Sequence, residues 1–117
     1  MKKSEIHIAV ALDNDHVPEA ISWRATDAGD QLFFAKAINL SLWDRNEAGT
    51  MKIDLWTKDM PVEEMKYFCI DTMGSMAETI AKATSDQVMA DKITALCNEL
   101  AKHVEEEAKK AQAGGSN

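Results

Sequence analysis

Three side chains near the C-terminal end have the spacing of a metal-binding helix face. Glu99, His103 and Glu107 recur every four residues, which brings them to one face of a helix. Carboxylate and imidazole groups bind zinc, but a zinc site needs about four ligands in a tetrahedral arrangement, and one helix face does not supply that geometry. The pattern favours a solvated face of ion pairs, so we expect no metal ion and no other cofactor.

An acidic turn gives the second candidate for metal chemistry. Asp13, Asn14 and Asp15 resemble the start of a calcium-binding loop. The glycine and the bidentate glutamate that complete such a loop are missing downstream, which excludes an EF-hand. We therefore expect an ordinary turn.

Nucleophilic and phosphate-binding motifs are absent from the sequence. His7, His16 and His103 belong to separate predicted elements, and no serine lies in a Gly-x-Ser-x-Gly motif. The chain also has no glycine-rich phosphate loop. These observations predict a protein that is not an enzyme.

Two tryptophans form the strongest candidate for a functional surface. Trp43 and Trp56 alternate with aliphatic residues in two predicted strands, so they lie on the opposite face from those aliphatic residues. Such a pair either stabilises an ordinary exposed sheet by cross-strand packing or forms a contact surface for another protein. One register places Trp43 near Lys52. The predicted interface consists of Trp43, Trp56, Lys52, Asp54, Asn39 and Ser41.

Alternating large apolar residues predict the strands that position these tryptophans. The period of two is typical of a sheet with one apolar face. Gly49 is available for a left-handed position in the hairpin loop at 46–49. Leu32, Phe33 and Phe34 fit either a short helical turn or an extension of the next strand, so the structure of residues 28–36 stays open. The predicted strands are 6–12, 20–25, 36–45 and 51–57.

Apolar residues spaced three or four apart predict two helices, the first of which starts at Asp59-Met60-Pro61 with Pro61 in its first turn. Thr84 and Gln87 have the spacing of a capping box at the start of the second helix. Cys69 and Cys97 fall within the helical patterns, and we expect both to be buried thiols without a disulfide. The two apolar stripes consist of Met65, Cys69, Met73, Met76, Ile80 and Ala83, and of Met89, Ile93, Leu96, Leu100 and Val104.

Segregation of strands and helices along the chain predicts an α+β fold. We expect a four-stranded antiparallel sheet followed by a two-helix hairpin packed on one face. Residues 1–107 are expected to form a single α+β domain, and 108–117 a flexible C-terminal tail. The predicted core of the sheet consists of Ile8, Val10, Ile38, Leu40, Ile53 and Leu55.

Charge and composition exclude several classes of partner. The 117 residues carry 20 acidic and 13 basic side chains, a net charge of −7, which disfavours nucleic acid and anionic lipid. No signal sequence or membrane-spanning run is recognisable in the sequence, so we expect a cytoplasmic location and no membrane insertion.

Several segments together carry a resemblance to a known family, and they are 12–19, 21–27, Leu42-Trp43-Asp44, Ile53-Asp54-Leu55-Trp56-Thr57-Lys58-Asp59-Met60 and Glu64-Met65-Lys66. This pattern resembles the gliding motility-associated protein GldC of Bacteroidetes-type bacteria. The likeness covers roughly residues 3–104. The motif from Asp54 to Met60 is unusual enough to be fairly specific.

This resemblance implies a small soluble cytoplasmic protein that is linked to surface gliding, which works alongside the type IX secretion apparatus. It implies a non-catalytic accessory or interaction protein, and it brings no catalytic or ligand residues. Its protein partners would be components of the gliding machinery or a second copy in a homo-oligomer. The alternative is a binding protein for unfolded or exported chains, because the export chaperone SecB also has four strands followed by two helices.

Overall fold

The computed structural model describes residues 2–115, which form an α+β structure of five strands and two helices in two compact units. The first unit runs from Met1 to Pro61 and contains the strands, and the second runs from Val62 to Asn117 and contains the helices. The strands are β1 (Ile6–Leu12), β2 (Pro18–Ala25), β3 (Phe33–Ala35), β4 (Ala37–Trp43) and β5 (Thr50–Trp56), and the helices are α1 (Val62–Thr84) and α2 (Gln87–Gly115).

Strands β1, β2 and β3 form an antiparallel sheet with β2 in the centre. Val10 and Ala35 lie opposite Ile21 on either side, and Ile21 is fully buried. Trp23 stacks on Phe33 with 4.9 Å between the ring centroids. The core of this sheet lies on the central strand because only that strand has neighbours on both sides.

Strands β4 and β5 form a separate two-stranded antiparallel sheet, so the prediction of a single four-stranded sheet is wrong. The cause is a bend at Lys36, between β3 and β4. The chain pairs with β2 before the bend and with β5 after it, as one long strand broken at a single residue. This settles the open segment, because Phe33 and Phe34 extend the following strand. Before them, a 3-10 helix at Thr26–Ala28 ends at Gly29, whose φ of 75° is left-handed.

The predicted core of the strands is less buried than the alternation suggested. Strand pairing does place Ile38 opposite Leu55 and Leu40 opposite Ile53, on one shared face. Leu40 is half-buried, however, and Ile8 and Ile53 are exposed. Alternation fixes which side chains share a face, but burial also depends on what packs against that face.

The helical hairpin has a narrow core with small residues in it. Ala90, Cys97 and Val104 are buried at intervals of seven residues on α2, and Ala77 is buried on α1. Small side chains let two helices approach closely, because the interaxial distance depends on the residues at the contact. Cys69 and Met76, both predicted on the apolar stripe, are exposed, so the prediction of two buried thiols holds only for Cys97.

The connection between the helices is capped differently from the prediction. The Asp86 carboxylate accepts a hydrogen bond from the Met89 backbone N–H at 3.0 Å, which makes Asp86 the N-cap of α2. The Thr84 hydroxyl instead donates to the Ile80 carbonyl at 2.6 Å and accepts from the Asp86 N–H at 3.1 Å. The predicted capping box from Thr84 to Gln87 is therefore wrong, since an aspartate one residue before Gln87 takes that role.

Most of the predicted tail, residues 108–115, belongs to the C-terminal part of α2. The helix extends to Gly115. Residues 116 and 117 of the predicted tail lie outside the described residues, and the flexibility of 108–117 stays a prediction. Neither helix, over the part of it that is described, has the combination of length and hydropathy needed to cross a bilayer.

Candidate interaction surface

The loop between β4 and β5 is built around the side chain of Asp44. Its carboxylate accepts hydrogen bonds from the backbone N–H groups of Glu47 at 2.7 Å and Asn46 at 2.9 Å. The Asp44 N–H donates to the Gly49 carbonyl at 3.1 Å and closes the loop. An aspartate that bonds its own backbone a few residues onward is a common turn former. The loop therefore fixes how β4 and β5 pair.

Two consequences follow from this loop geometry. The N–H groups of Glu47 and then Asn46 lower the pKa of Asp44, because they stabilise its charged form. Gly49 does not adopt a left-handed conformation, so the prediction for this glycine is wrong. The turn is made by the Asp44 carboxylate.

The register of the hairpin places all six predicted interface residues on one face. Ser41 lies opposite Lys52, and Asn39 lies opposite Asp54. Trp43 pairs with Thr50 at the loop end, so Lys52 is its diagonal neighbour. Trp56 pairs with Ala37 at the other end. The alternation in the sequence predicted this shared face, whereas its role as an interface stays a prediction.

The two tryptophans lie at opposite ends of this face. Six residues along β4 separate Trp43 from the position opposite Trp56, which at a rise of about 3.4 Å per residue is about 20 Å. Their exposed fractions are 73% for Trp43 and 55% for Trp56. The rings therefore do not pack on each other, and cross-strand packing of the pair is excluded.

The polar centre of the face carries an ion pair. Lys52 Nζ lies 3.1 Å from the Asp54 carboxylate, two residues along the same strand. Both side chains are partly exposed, so the pair adds little stability. The face thus consists of a polar strip with one large exposed aromatic side chain at each end, and we refer to it as the tryptophan face.

The end of the face at Trp56 is anchored to the rest of the first unit. Thr57, which is buried, donates from its N–H at 2.8 Å and from its hydroxyl at 3.0 Å to the carbonyl of Lys36. Lys58 donates from its N–H to the Pro18 carbonyl at 3.3 Å. These hydrogen bonds join the residues that follow β5 to the bend at Lys36 and to the start of β2 at Pro18.

An ion pair that sequence reasoning missed completes this anchor. Lys58 Nζ lies 2.5 Å from the Asp13 carboxylate and 3.8 Å from that of Glu19. The other oxygen of Asp13 accepts from the N–H groups of Asp15 at 2.8 Å and Val17 at 2.9 Å. The acidic turn thus forms an ordinary turn with an ion pair. The pair could not be read from the sequence, since its partners are 45 positions apart.

A pocket of about 320 Å³ opens beside this anchor. It lies within the first unit, between the end of β5 and the turn before β2. Trp56 contributes both to this pocket and to the tryptophan face. No separate signal in the sequence points to the pocket, which is lined by His16, Val17, Pro18, Asp54, Leu55, Trp56, Thr57 and Lys58.

Two of the three candidate metal ligands on α2, His103 and Glu107, contact each other. Glu107 contacts His103 at 2.5 Å and Lys66 at 3.5 Å. Within residues 2–115, no three His, Cys, Asp or Glu side chains converge in a way that could hold a metal ion. Glu107 therefore takes part in a face of ion pairs.

Comparison with protein families identifies the chain. The family model described as gliding motility-associated protein GldC-like matches residues 18–106, well over half of the chain. The chain belongs to the GldC-like family. The match begins at the first residue of β2, includes the whole tryptophan face and ends within α2.

The family assignment confirms the resemblance seen in the sequence and associates the chain with gliding motility. The family's description names a motility association and no reaction. Neither the curated proteins nor the solved structures contain a match to this chain.

Proposed function

We propose that this GldC-like protein is a non-catalytic accessory component of the gliding machinery, and that it binds another protein of that machinery through the tryptophan face. Membership of the GldC-like family supports the association with gliding. The observation that carries the interaction is the exposure of Trp43 and Trp56 on one face of a hairpin whose loop is closed by Asp44.

The chemistry of the tryptophan face fits a protein contact. A tryptophan can bury about 150–250 Å² of surface, and tryptophans are enriched among the residues that dominate binding energy at interfaces. Here each exposed ring borders a polar strip that contains Ser41, Asn39 and the Lys52–Asp54 ion pair. A partner surface with an apolar pocket for each ring and polar groups between them would match this arrangement.

The anchor at the end of β5 supports the role of Trp56 in particular. The following residue, Thr57, is buried and doubly hydrogen-bonded to Lys36, so the backbone at Trp56 is held in place. A backbone that is already fixed loses little conformational entropy on binding, which favours affinity. Trp56 is therefore the stronger of the two proposed contacts.

Affinity capture with matched variants tests this proposal. Tagged wild type, Trp56→Ala, Trp43→Ala and Met51→Ala would be compared in lysate of a gliding bacterium that carries the chain, followed by titration of the purified partner. We expect Trp56→Ala to weaken binding by about 2 kcal/mol or more, roughly thirtyfold in Kd, without loss of the fold. Met51 is the control, because it is an exposed apolar residue of the same strand whose side chain lies on the opposite face.

Two results would contradict the proposal. Equal recovery of the partner by wild type and both tryptophan variants would exclude the tryptophan face. Recovery of many unrelated unfolded chains in place of one stoichiometric partner would indicate a chaperone-like binding protein. Disruption of the gene tests the association with gliding separately, since normal spreading of the disrupted strain would contradict it.

A further inference from the structure

We propose that the free edge of β1 pairs with β1 of a second copy, antiparallel about a two-fold axis at Ala9, so that two copies form one continuous sheet. This inference goes beyond the proposed function, because it concerns a different surface and a different partner. It does not depend on the role of the tryptophan face.

The outer edge of β1 carries backbone groups that point away from the sheet. In an antiparallel pair, alternate residues direct both their N–H and C=O groups toward the neighbouring strand. The Glu5 carbonyl accepts from Thr26, and the Asp13 N–H donates to the Val17 carbonyl, so the odd-numbered residues of this segment are bonded inward. The even-numbered residues therefore point their N–H and C=O groups outward, and these are Ile6, Ile8, Val10 and Leu12.

The same even-numbered residues have large apolar side chains on one face. Ile8 and Val10 lie opposite Trp23 and the buried Ile21, so they continue the apolar face of the sheet. Burial falls along that face toward the free end, from Ile21, which is fully buried, through Ile8, which is 41% exposed, to Ile6, which is 73% exposed. The apolar face thus runs out to an edge where it is uncovered.

Devices that usually protect an exposed edge are missing from this strand. Natural edge strands carry lysine, proline, inward-pointing charges or bulges that prevent pairing with another chain. β1 has seven residues with no lysine, no proline and no acidic side chain. Its register with β2 shifts once, between Ala11 and Leu12, where the additional residue, Glu19, belongs to β2 and not to β1. An unprotected edge of this kind is a template for strand addition.

Self-complementarity of β1 identifies a second copy as the occupant. Antiparallel pairing centred on Ala9 matches Ile8 with Val10 and Ile6 with Leu12. Each outward-pointing N–H and C=O group of β1 is then hydrogen-bonded to a complementary group of the other copy. It is the register that pairs all seven residues, because Ala9 is the central residue of Ile6–Leu12. A two-fold axis perpendicular to the sheet keeps the apolar side chains of both copies on the same face.

Charges at the ends of the strand favour the antiparallel orientation. Lys2 and Lys3 precede β1, and Asp13 and Asp15 follow it. Antiparallel pairing brings the basic end of each copy beside the acidic end of the other, whereas parallel pairing would bring like charges together. In this register Glu5 of one copy lies opposite Asp13 of the other, which brings two carboxylates together. Each carboxylate already has a partner within its own copy, because Asp13 contacts Lys58 and Glu5 contacts His7.

Oligomeric state and a cross-linking pair test the proposal. Analytical ultracentrifugation of the full chain across a concentration series should give a dimer. Val10→Pro should weaken the dimer at least tenfold, because it removes an outward-pointing N–H and leaves the bonds to β2 in place. Ile8→Lys, which keeps every backbone donor, should do the same by placing a charge at the seam, and circular dichroism would check that both variants fold.

Cysteine cross-linking locates the two-fold axis. In a Cys69→Ser background, Ala9→Cys should form a disulfide-linked dimer under mild oxidation, since the two copies of residue 9 face each other as a non-hydrogen-bonded pair about 4.5 Å apart. Ala11→Cys is the matched control on the same strand face. In this register residue 11 of one copy is offset by four residues along the strand from residue 11 of the other, which is about 13 Å. A disulfide cannot bridge that distance.

Four outcomes would overturn the proposal. A monomer at every concentration excludes self-pairing, and a dimer that survives both Val10→Pro and Ile8→Lys is joined at another face. Cross-linking through Ala11→Cys in preference to Ala9→Cys excludes the register. A monomer that loses a different binding partner on Val10→Pro shows that the edge accepts a strand of another protein.

Discussion

Asp13 connects two distant parts of the strand unit through its side chain. One of its carboxylate oxygens holds the turn before β2 through two backbone N–H groups, and the other contacts Lys58 after β5. Lys58, and after it the Val17 N–H, lowers the pKa of Asp13, and the hydrogen bond to Asp13 raises the pKa of Lys58. A single side chain thus joins the first turn of the sheet to the last strand.

These two pKa shifts predict how stability depends on pH. Because the pKa of Asp13 is lower in the folded state, its contribution is present above about pH 4 and is lost as the pH falls through the folded value. Because the pKa of Lys58 is raised, its contribution is present below about pH 10 and is lost as the pH rises through the folded value. Between these limits the ion pair stabilises the fold at a constant level.

Denaturant unfolding measured from pH 2 to pH 7 checks the acid limb. We expect Asp13→Asn to lower the free energy of unfolding at pH 7 and to flatten its fall in acid, since the variant has no carboxylate to protonate at this site. Asp15→Asn is the control, because it removes the same charge from an exposed position in the same turn. An equal effect of the two substitutions would contradict the role assigned to Asp13.

At the scale of single elements, the helical hairpin shows how small residues define a contact. Its buried positions include Ala77, Ala90 and Cys97, whereas Met76 next to Ala77 is exposed. A hairpin packed around small side chains has little room for extra volume. The contact between the helices should therefore be sensitive to enlargement at these positions.

Ala77→Leu tests this view of the hairpin. Overpacking a tight contact costs about 1–3 kcal/mol, so the free energy of unfolding should fall by that amount. Ala83→Leu on the exposed side of the same helix is the matched control and should change it by about 0.5 kcal/mol or less. Equal effects of the two substitutions would show that Ala77 does not lie in a tight contact.

Strand elements show a different relation between pattern and structure. The bend at Lys36 changes the pairing partner of one strand from β2 to β5. Thr57 holds the Lys36 carbonyl with two hydrogen bonds, which secures the point where the partner changes. The tryptophan face exists as a separate hairpin face because of this bend.

At the scale of the whole molecule, charge is the property that restricts partners most. The net charge of −7 results from 20 acidic and 13 basic side chains. Several of the cations contact carboxylates, including Lys52, Lys58 and Lys66. A phosphate backbone would therefore meet more repelling carboxylates than cations.

Nucleic acid binding should accordingly be absent. We expect no change in the fluorescence anisotropy of a labelled duplex at about 0.15 M salt, because binding draws on clustered Lys and Arg. A basic protein of similar size serves as the positive control. Saturable binding at that salt concentration would contradict the charge argument.

The sequence by itself determined the local features of this protein. Alternation of apolar residues predicted the shared face of Trp43 and Trp56, and helical periodicity predicted the two helices. The motif from Asp54 to Met60 indicated the family that the family model then confirmed. These features depend on neighbours two to four positions apart or on a continuous motif, so they can be read along the chain.

Only the tertiary structure decided the features that join distant positions. The bend at Lys36 and the pairing of Asp13 with Lys58 depend on residues 21 and 45 positions away. The choice of Ala77 over Met76 as the buried residue depends on which helix face meets the partner helix, and periodicity leaves that rotation open. The exposed edge of β1 likewise follows from strand order. The alternation in its sequence would also suit a central strand, but β1 pairs with β2 on one side and its other side is left free.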